Sequence, residues 1–204
     1  MKPKVSIITP VWNQRELVIR AMDSIPRRKD IEVLVRDDGS TDGTLEALVD
    51  YSVANPDLNM TVFSNGENKG VAYTKNRLLE SATGEYFHVL DSDDYLYTQE
   101  YSRAIDMIDG SDVVYMDFRR NDGFPTYLTA ENVGIFCAQI LRFIRMDFAK
   151  GITFPENIRA ADDWYFHNDL MAKHPTEQYT HLIAYHYNFP RAGSLSDLKM
   201  RGLL

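Results

Sequence analysis

Hydrophobic positions in the first half of the chain alternate between two periods. Val5-Ser6-Ile7-Ile8-Thr9 is a short β-rich run closed by Pro10. From Gln14 to Ile25, the residues Leu17, Val18, Ala21, Met22 and Ile25 recur at helical spacing, which predicts a helix. Pro26 and the charged cluster Arg27-Arg28-Lys29-Asp30 end it. Ile31 to Val35 reads as a second strand stopped at Asp37-Asp38-Gly39-Ser40, and Thr41 or Asp42 can cap a helix through Leu45, Leu48 and Val49. A third strand is predicted over Met60 to Phe63, a helix from Val71 to Ser81, and a fourth strand over Tyr86 to Leu90.

Strands alternating with helices predict βαβ units and a mostly parallel sheet. In such sheets, ligands bind beyond the carboxyl ends of the strands. The polar segments Thr9 to Asn13, Asp37 to Asp42 and Asp91 to Asp94 occupy those positions. The second half is less regular. Strands are predicted over Asp112 to Met116, Gln139 to Ile144 and Thr180 to Tyr187, with helices near Met146 to Lys150 and over Asp162 to Lys173. No repeat or linker appears, so residues 1–204 read as one domain.

Composition narrows the functional classes. Acidic residues number 30 and basic ones 22, a net charge of −8, which argues against a protein held on nucleic acid by bulk positive charge. Anion binding would then need a local device, such as a helix N-terminus or a metal ion. The single cysteine, Cys137, excludes an intrachain disulfide, suits a reducing compartment, and reads as a small buried apolar residue. The apolar stretch near the N-terminus is too short for a signal peptide, and no run is long enough for a membrane span. A cytoplasmic protein is expected, with any membrane contact made through partners.

Leu90-Asp91-Ser92-Asp93-Asp94 packs three carboxylates into a strand end. Their mutual repulsion calls for a neutralising cation, and oxygen-only ligands suit Mg2+ or Mn2+. A solvated turn capping the next helix also accounts for the segment taken alone. Asp37 to Asp42 begins like a calcium loop, but Val49 stands where that loop needs Glu. A carboxylate at this strand end is placed to accept hydrogen bonds from a base or ribose. Asp162-Asp163-Trp164 opens a helix, where the dipole favours acids in any case; alternatively one of the acids is a general base on a hydroxyl. Trp164 suits either a sugar-stacking wall or the core. His88 reads as structural, whereas His181 and His186 lie on the late strand, within possible reach of a metal or phosphate.

Together these segments resemble a family 2 glycosyltransferase of the GT-A fold. The matching pieces are Val5 to Asn13, Val33 to Asp42, Asn68 to Ala72 through Asn76, Leu90 to Asp94, and Asp162 to Trp164, spread over residues 3–196. The resemblance implies an α/β fold with a Rossmann-like, mostly parallel central sheet flanked by helices and a smaller mixed acceptor-side region. It divides the domain into a nucleotide-sugar half, 1–97, and an acceptor half, 98–204. It places Pro10, Val11 and Asn13 around the nucleoside, and Asp38 with Asp37 at the base. Lys69 and Asn76 would lie on the segment closing over the nucleotide, with Asp91, Ser92 and Asp93 at the donor. Asp91, Asp93, Asp94 and His186 would serve Mn2+ or Mg2+. Asp163 would be the base with Asp162 beside it, where the family usually has Glu-Asp; Trp164 and Arg191 would face the acceptor or diphosphate. The implied activity is metal-dependent, inverting sugar transfer from a nucleotide-diphosphate sugar, most commonly UDP-linked, to a hydroxyl on a glycan or glycoconjugate. An oligomer is compatible with all of this. Two other readings compete: a non-catalytic nucleotide-sugar-binding module, and a nucleotidyltransferase. The second would be expected to carry a Gly/Arg/Lys-rich loop where this chain has Thr9-Pro10-Val11-Trp12-Asn13.

Overall fold

A computed structural model describes residues 2–136, 139–158 and 161–192. Cys137 and residues 193–204 lie outside the described residues.

The predicted alternation forms in order: β1 (Val5–Val11), α1 (Arg15–Asp23), β2 (Ile31–Asp37), α2 (Thr44–Ala54), β3 (Met60–Ser64), α3 (Val71–Ser81) and β4 (Tyr86–Val89). There follow β5 (Tyr95–Leu96), α4 (Thr98–Met107), β6 (Val113–Arg120), β7 (Pro125–Thr126), β8 (Arg142–Arg145), α5 (Met146–Ala149), α6 (Asp162–Met171) and β9 (Glu177–Tyr187). Among the described residues the strands form one sheet in the order β3-β2-β1-β4-β8-β6-β9-β5, with β7 paired to β6. The first four strands pair in parallel, as βαβ units require. β8 enters antiparallel between β4 and β6, so the later region is mixed.

β1 is buried along its whole length, which explains its continuous apolar run. Contrary to expectation, it continues through Pro10 to Val11. The Ile8 carbonyl accepts from Leu90 N on the β4 side, and the Val11 carbonyl accepts from Asp38 N on the β2 side. Strand alternation therefore turns the Pro10 nitrogen toward β4, where it has no proton to give, and β4 pairing stops at Val89. The sheet opens at this point, and the chain after β4 is free to form the Asp91 to Asp94 turn.

The predicted strand from Gln139 begins instead as a 3-10 turn over Gln139–Leu141, and pairing starts at Arg142. His88 is fully buried on β4 between the Tyr101 hydroxyl and the Ile140 carbonyl, each 2.8 Å away, and burial pushes its imidazole down to about 4. Its role is structural, as the sequence suggested.

Candidate active site

Three strand ends converge. After β1, Asn13 adopts a left-handed conformation (φ 51°), which asparagine tolerates. Its side-chain oxygen accepts from Thr41 N at 2.8 Å, and its own N–H donates to Ser40 Oγ at 2.8 Å, tying the β1 loop to the β2 loop. Pro10 and Val11 are buried beneath, while Trp12 stands half exposed at the rim.

After β2, the two adjacent acids divide their work. Asp38 is buried; its Oδ1 accepts from Lys69 N and Asn65 Nδ2 at 2.8 Å, and its Oδ2 from Gly70 N at 2.9 Å. It therefore holds the N-terminus of α3. Asp37 Oδ2 accepts from Gly39 N and Ser40 N at 3.1 Å, while its buried Oδ1 has no partner among the described residues. Of the two, Asp37 thus keeps one buried oxygen without a partner among the described residues, and Asp38 is fully engaged by Asn65 and the backbone of Lys69 and Gly70. Gly39 makes the crossing possible: at φ +72°, a Cβ there would lie 2.5 Å from the Glu67 backbone.

After β4, carboxylate oxygens of Asp91, Asp93 and Asp94 lie within 4.8 Å of one another. Asp94 is buried, with Oδ2 accepting from the Tyr185 hydroxyl at 2.6 Å and Oδ1 from Asn188 N at 2.7 Å. Burial first, then Asp91 and Asp93, hold its carboxyl well above the usual range. Arg191 grips Asp93 Oδ2 through Nε at 2.9 Å and Nη2 at 2.8 Å. Ser92 donates to Gln14 Oε1 at 2.7 Å, which anchors the turn to the start of α1. Burial raises Asp91, Lys75 opposes it, and Asp163, Asp93 and Asp162 add to the rise, leaving it at about 7. A cation suits this donor set: it is oxygen-only, it concentrates like charge, and oxygens already bonded keep a second lone pair.

Asp162 and Asp163 begin α6, and one lysine meets both. Lys75 Nζ lies 2.9 Å from Asp162 Oδ2 and 2.8 Å from Asp163 Oδ1, over the Phe154 ring. Its side chain is only 4% exposed. Burial alone would lower its ammonium, but Asp163, Asp162 and Asp91 outweigh burial and raise it. Trp164 stands half exposed beside Asp163, edge-to-face with Tyr165.

Two expected residues are occupied elsewhere. Asn76 is buried and donates to the Phe154 carbonyl and Glu156 Oε1, while its oxygen accepts from Phe154 N, all at 2.8 Å. It fastens α3 to the segment before α6. His186 is not part of the acidic cluster. It stacks on Tyr95 at 4.2 Å, its Nδ1 meets the Tyr97 hydroxyl at 3.0 Å, and its Nε2 meets Asn121 Oδ1 at 2.9 Å. Lys69 reaches the site through its backbone; its exposed ammonium pairs with Glu67. The sequence reading missed Lys75, although a lysine on the apolar face Ala72, Lys75, Leu78 was a signal. It also missed Tyr185 and Gln14, which no local pattern marks.

The profile of the glycosyl transferase family 2 matches residues 6–163, which runs from the first strand to Asp163. The chain belongs to this family. An uncharacterized glycosyltransferase of Rickettsia felis is 29% identical over 177 residues, covering 78% of the chain and 29% of that protein. The poly(ribitol-phosphate) beta-glucosyltransferase of Bacillus spizizenii is 28% identical over 185 residues, covering 80% of the chain and 28% of the relative. The S. aureus TarS 1–349 structure in complex with UDP-GlcNAc superimposes with a TM-score of 0.80 at 26% identity, covering 94% of the chain and 60% of that one. The chain thus spans under a third of the length of these two relatives. The family 2 domain has the GT-A fold expected of it, and family membership sets aside the nucleotidyltransferase reading. No helix among the described residues is long and apolar enough to cross a membrane.

Proposed function

We propose that this family 2 domain transfers a sugar from a UDP-sugar to a hydroxyl on a glycan or glycoconjugate, with inversion at the anomeric carbon. One observation carries the reading most: the oxygen-only cluster of Asp91, Asp93 and Asp94 after β4 stands on one side of the site, and the two acids held by Lys75 at the start of α6 on the other. A sugar spanning that gap would have its leaving diphosphate at one side and a base at the other. The TarS structure with UDP-GlcNAc supports a UDP-linked donor.

In this reading the nucleoside lies against Pro10, Val11 and Asn13, with the Asp37–Asp38 loop at the base. Asp91, Asp93 and Asp94 would hold Mn2+ or Mg2+, which supplies Lewis-acid stabilisation of the leaving diphosphate. Arg191 sits on Asp93 and would pass to the diphosphate. Asp163 takes the proton of the acceptor hydroxyl as its oxygen attacks the anomeric carbon from the face opposite the diphosphate. Trp164 offers a stacking surface for the acceptor ring beside that base. Residues 1–97 serve the donor and 98–204 the acceptor.

The test is UDP release from UDP-GlcNAc and other UDP-sugars by purified protein, the sugar passing to added glycan acceptors or to water. Wild type should turn over, while Asp163→Asn should bind UDP normally and lose about 10^3-fold in rate. A wild type that binds UDP but releases none would favour the non-catalytic binding module.

A further inference from the structure

The two acids at the start of α6 are unequal in a way their sequence does not show. Asp162 has a side chain only 11% exposed and Asp163 one 35% exposed, yet a single ammonium bonds both. The lysine arrives from the opposite wall: α3 begins at Val71, directly after Lys69 and Gly70, whose N–H groups are held by Asp38 on the donor side. One and a half turns later, the same helix presents Lys75 to α6, and Asn76 beside it clamps the Phe154 backbone leading to those acids. Phe154 closes over the ammonium at 4.8 Å and stacks on Phe166 of α6 at 4.4 Å. The lysine therefore has little room to move, and its hydrogen bonds fix where both carboxylates point.

We propose that Lys75 is a positioning residue that makes the acids non-equivalent: Asp162 is its buried counter-ion, and Asp163 is held outward as the base. This rests on the functional reading above, and deepens it by assigning which acid acts and what aims it. Two carboxylates on one ammonium also keep a net negative charge at the base, which suits proton acceptance. Asp162 then belongs to stability, and Asp163 to turnover.

The experiment pairs thermal unfolding with UDP release from UDP-GlcNAc, using Lys75→Met, Lys75→Arg, Asp162→Asn, Asp163→Asn and the double variant Lys75→Met/Asp162→Asn. Lys75→Met should lower Tm by about 10 °C because it leaves a buried charge unpaired. The double variant should recover part of that loss, since the buried Asp162 charge goes with its partner and only the more exposed Asp163 is left without Lys75. Asp163→Asn should hold Tm within a few degrees of wild type. In turnover, Lys75→Met should lower kcat by about 10^2-fold with the donor KM little changed, and Lys75→Arg should restore part of it. Additive Tm losses, or a Lys75→Met whose kcat matches wild type, would overturn the proposal. A wild type that releases no UDP contradicts the functional reading instead, and the unfolding cycle still decides the Lys75–Asp162 coupling.

Discussion

Asp91 is the residue at which the charges of the site meet. Its carboxyl titrates near 7 in the folded chain, against the ordinary aspartate value near 4 when unfolded. The native state therefore keeps a proton that the unfolded state gives up between about pH 4 and pH 7, and this group's contribution to stability falls as pH rises through that window. Asp91→Asn removes the effect. In metal-free buffer, its Tm advantage over wild type should grow from pH 4.5 to pH 7 and then level off; a difference independent of pH would contradict the assignment. Gly39 tests the adjoining loop. Because its missing Cβ is where the Glu67 backbone passes, Gly39→Ala should cost about 2–4 kcal/mol in chemical denaturation and weaken UDP binding. Unchanged stability would mean that the two loops do not approach as described.

Among the elements, α3 joins the two sides of the site. Asn76 fastens it to the Phe154 segment, so Asn76→Ala should lower stability by about 1–3 kcal/mol while UDP affinity changes less than twofold. A large loss of UDP affinity at unchanged stability would restore Asn76 to the nucleotide pocket. The sequence showed α3 clearly, because its apolar stripe and bounding glycines are local features. It did not show what the polar residues on the inner face meet, since Phe154, Asp162 and Asp163 lie some 80 positions away. β5 was illegible for the same reason: two residues become a strand only by pairing with β9. That pairing also decides His186, which stands opposite Tyr95 and stacks on it. α4 escaped notice because only Tyr101, Ala104 and Ile105 are buried and no side chain caps its start. β1, β2 and β4 were readable to within about two residues, because burial on both faces writes itself as continuous apolar runs.

At the scale of the whole molecule, the net charge of −8 is unevenly placed. Asp37, Asp38, Asp91, Asp93, Asp94, Asp162 and Asp163 cluster at strand ends and one helix start, with Arg191 paired to Asp93 and Lys75 to Asp162 and Asp163. An acidic protein can then accept a diphosphate where a divalent ion and Arg191 stand between the like charges. On the proposed reading protons would compete with that ion for Asp91, so the stabilisation given by Mn2+ with UDP should increase from pH 5.5 to pH 8 in a thermal-shift series. The most direct measurement is calorimetric titration of UDP into the wild-type protein at pH 8, with Mn2+ and with chelator. At least tenfold tighter binding is expected with Mn2+, lost in Asp93→Ala. Equal affinity in the two buffers, or no binding in either, would contradict it.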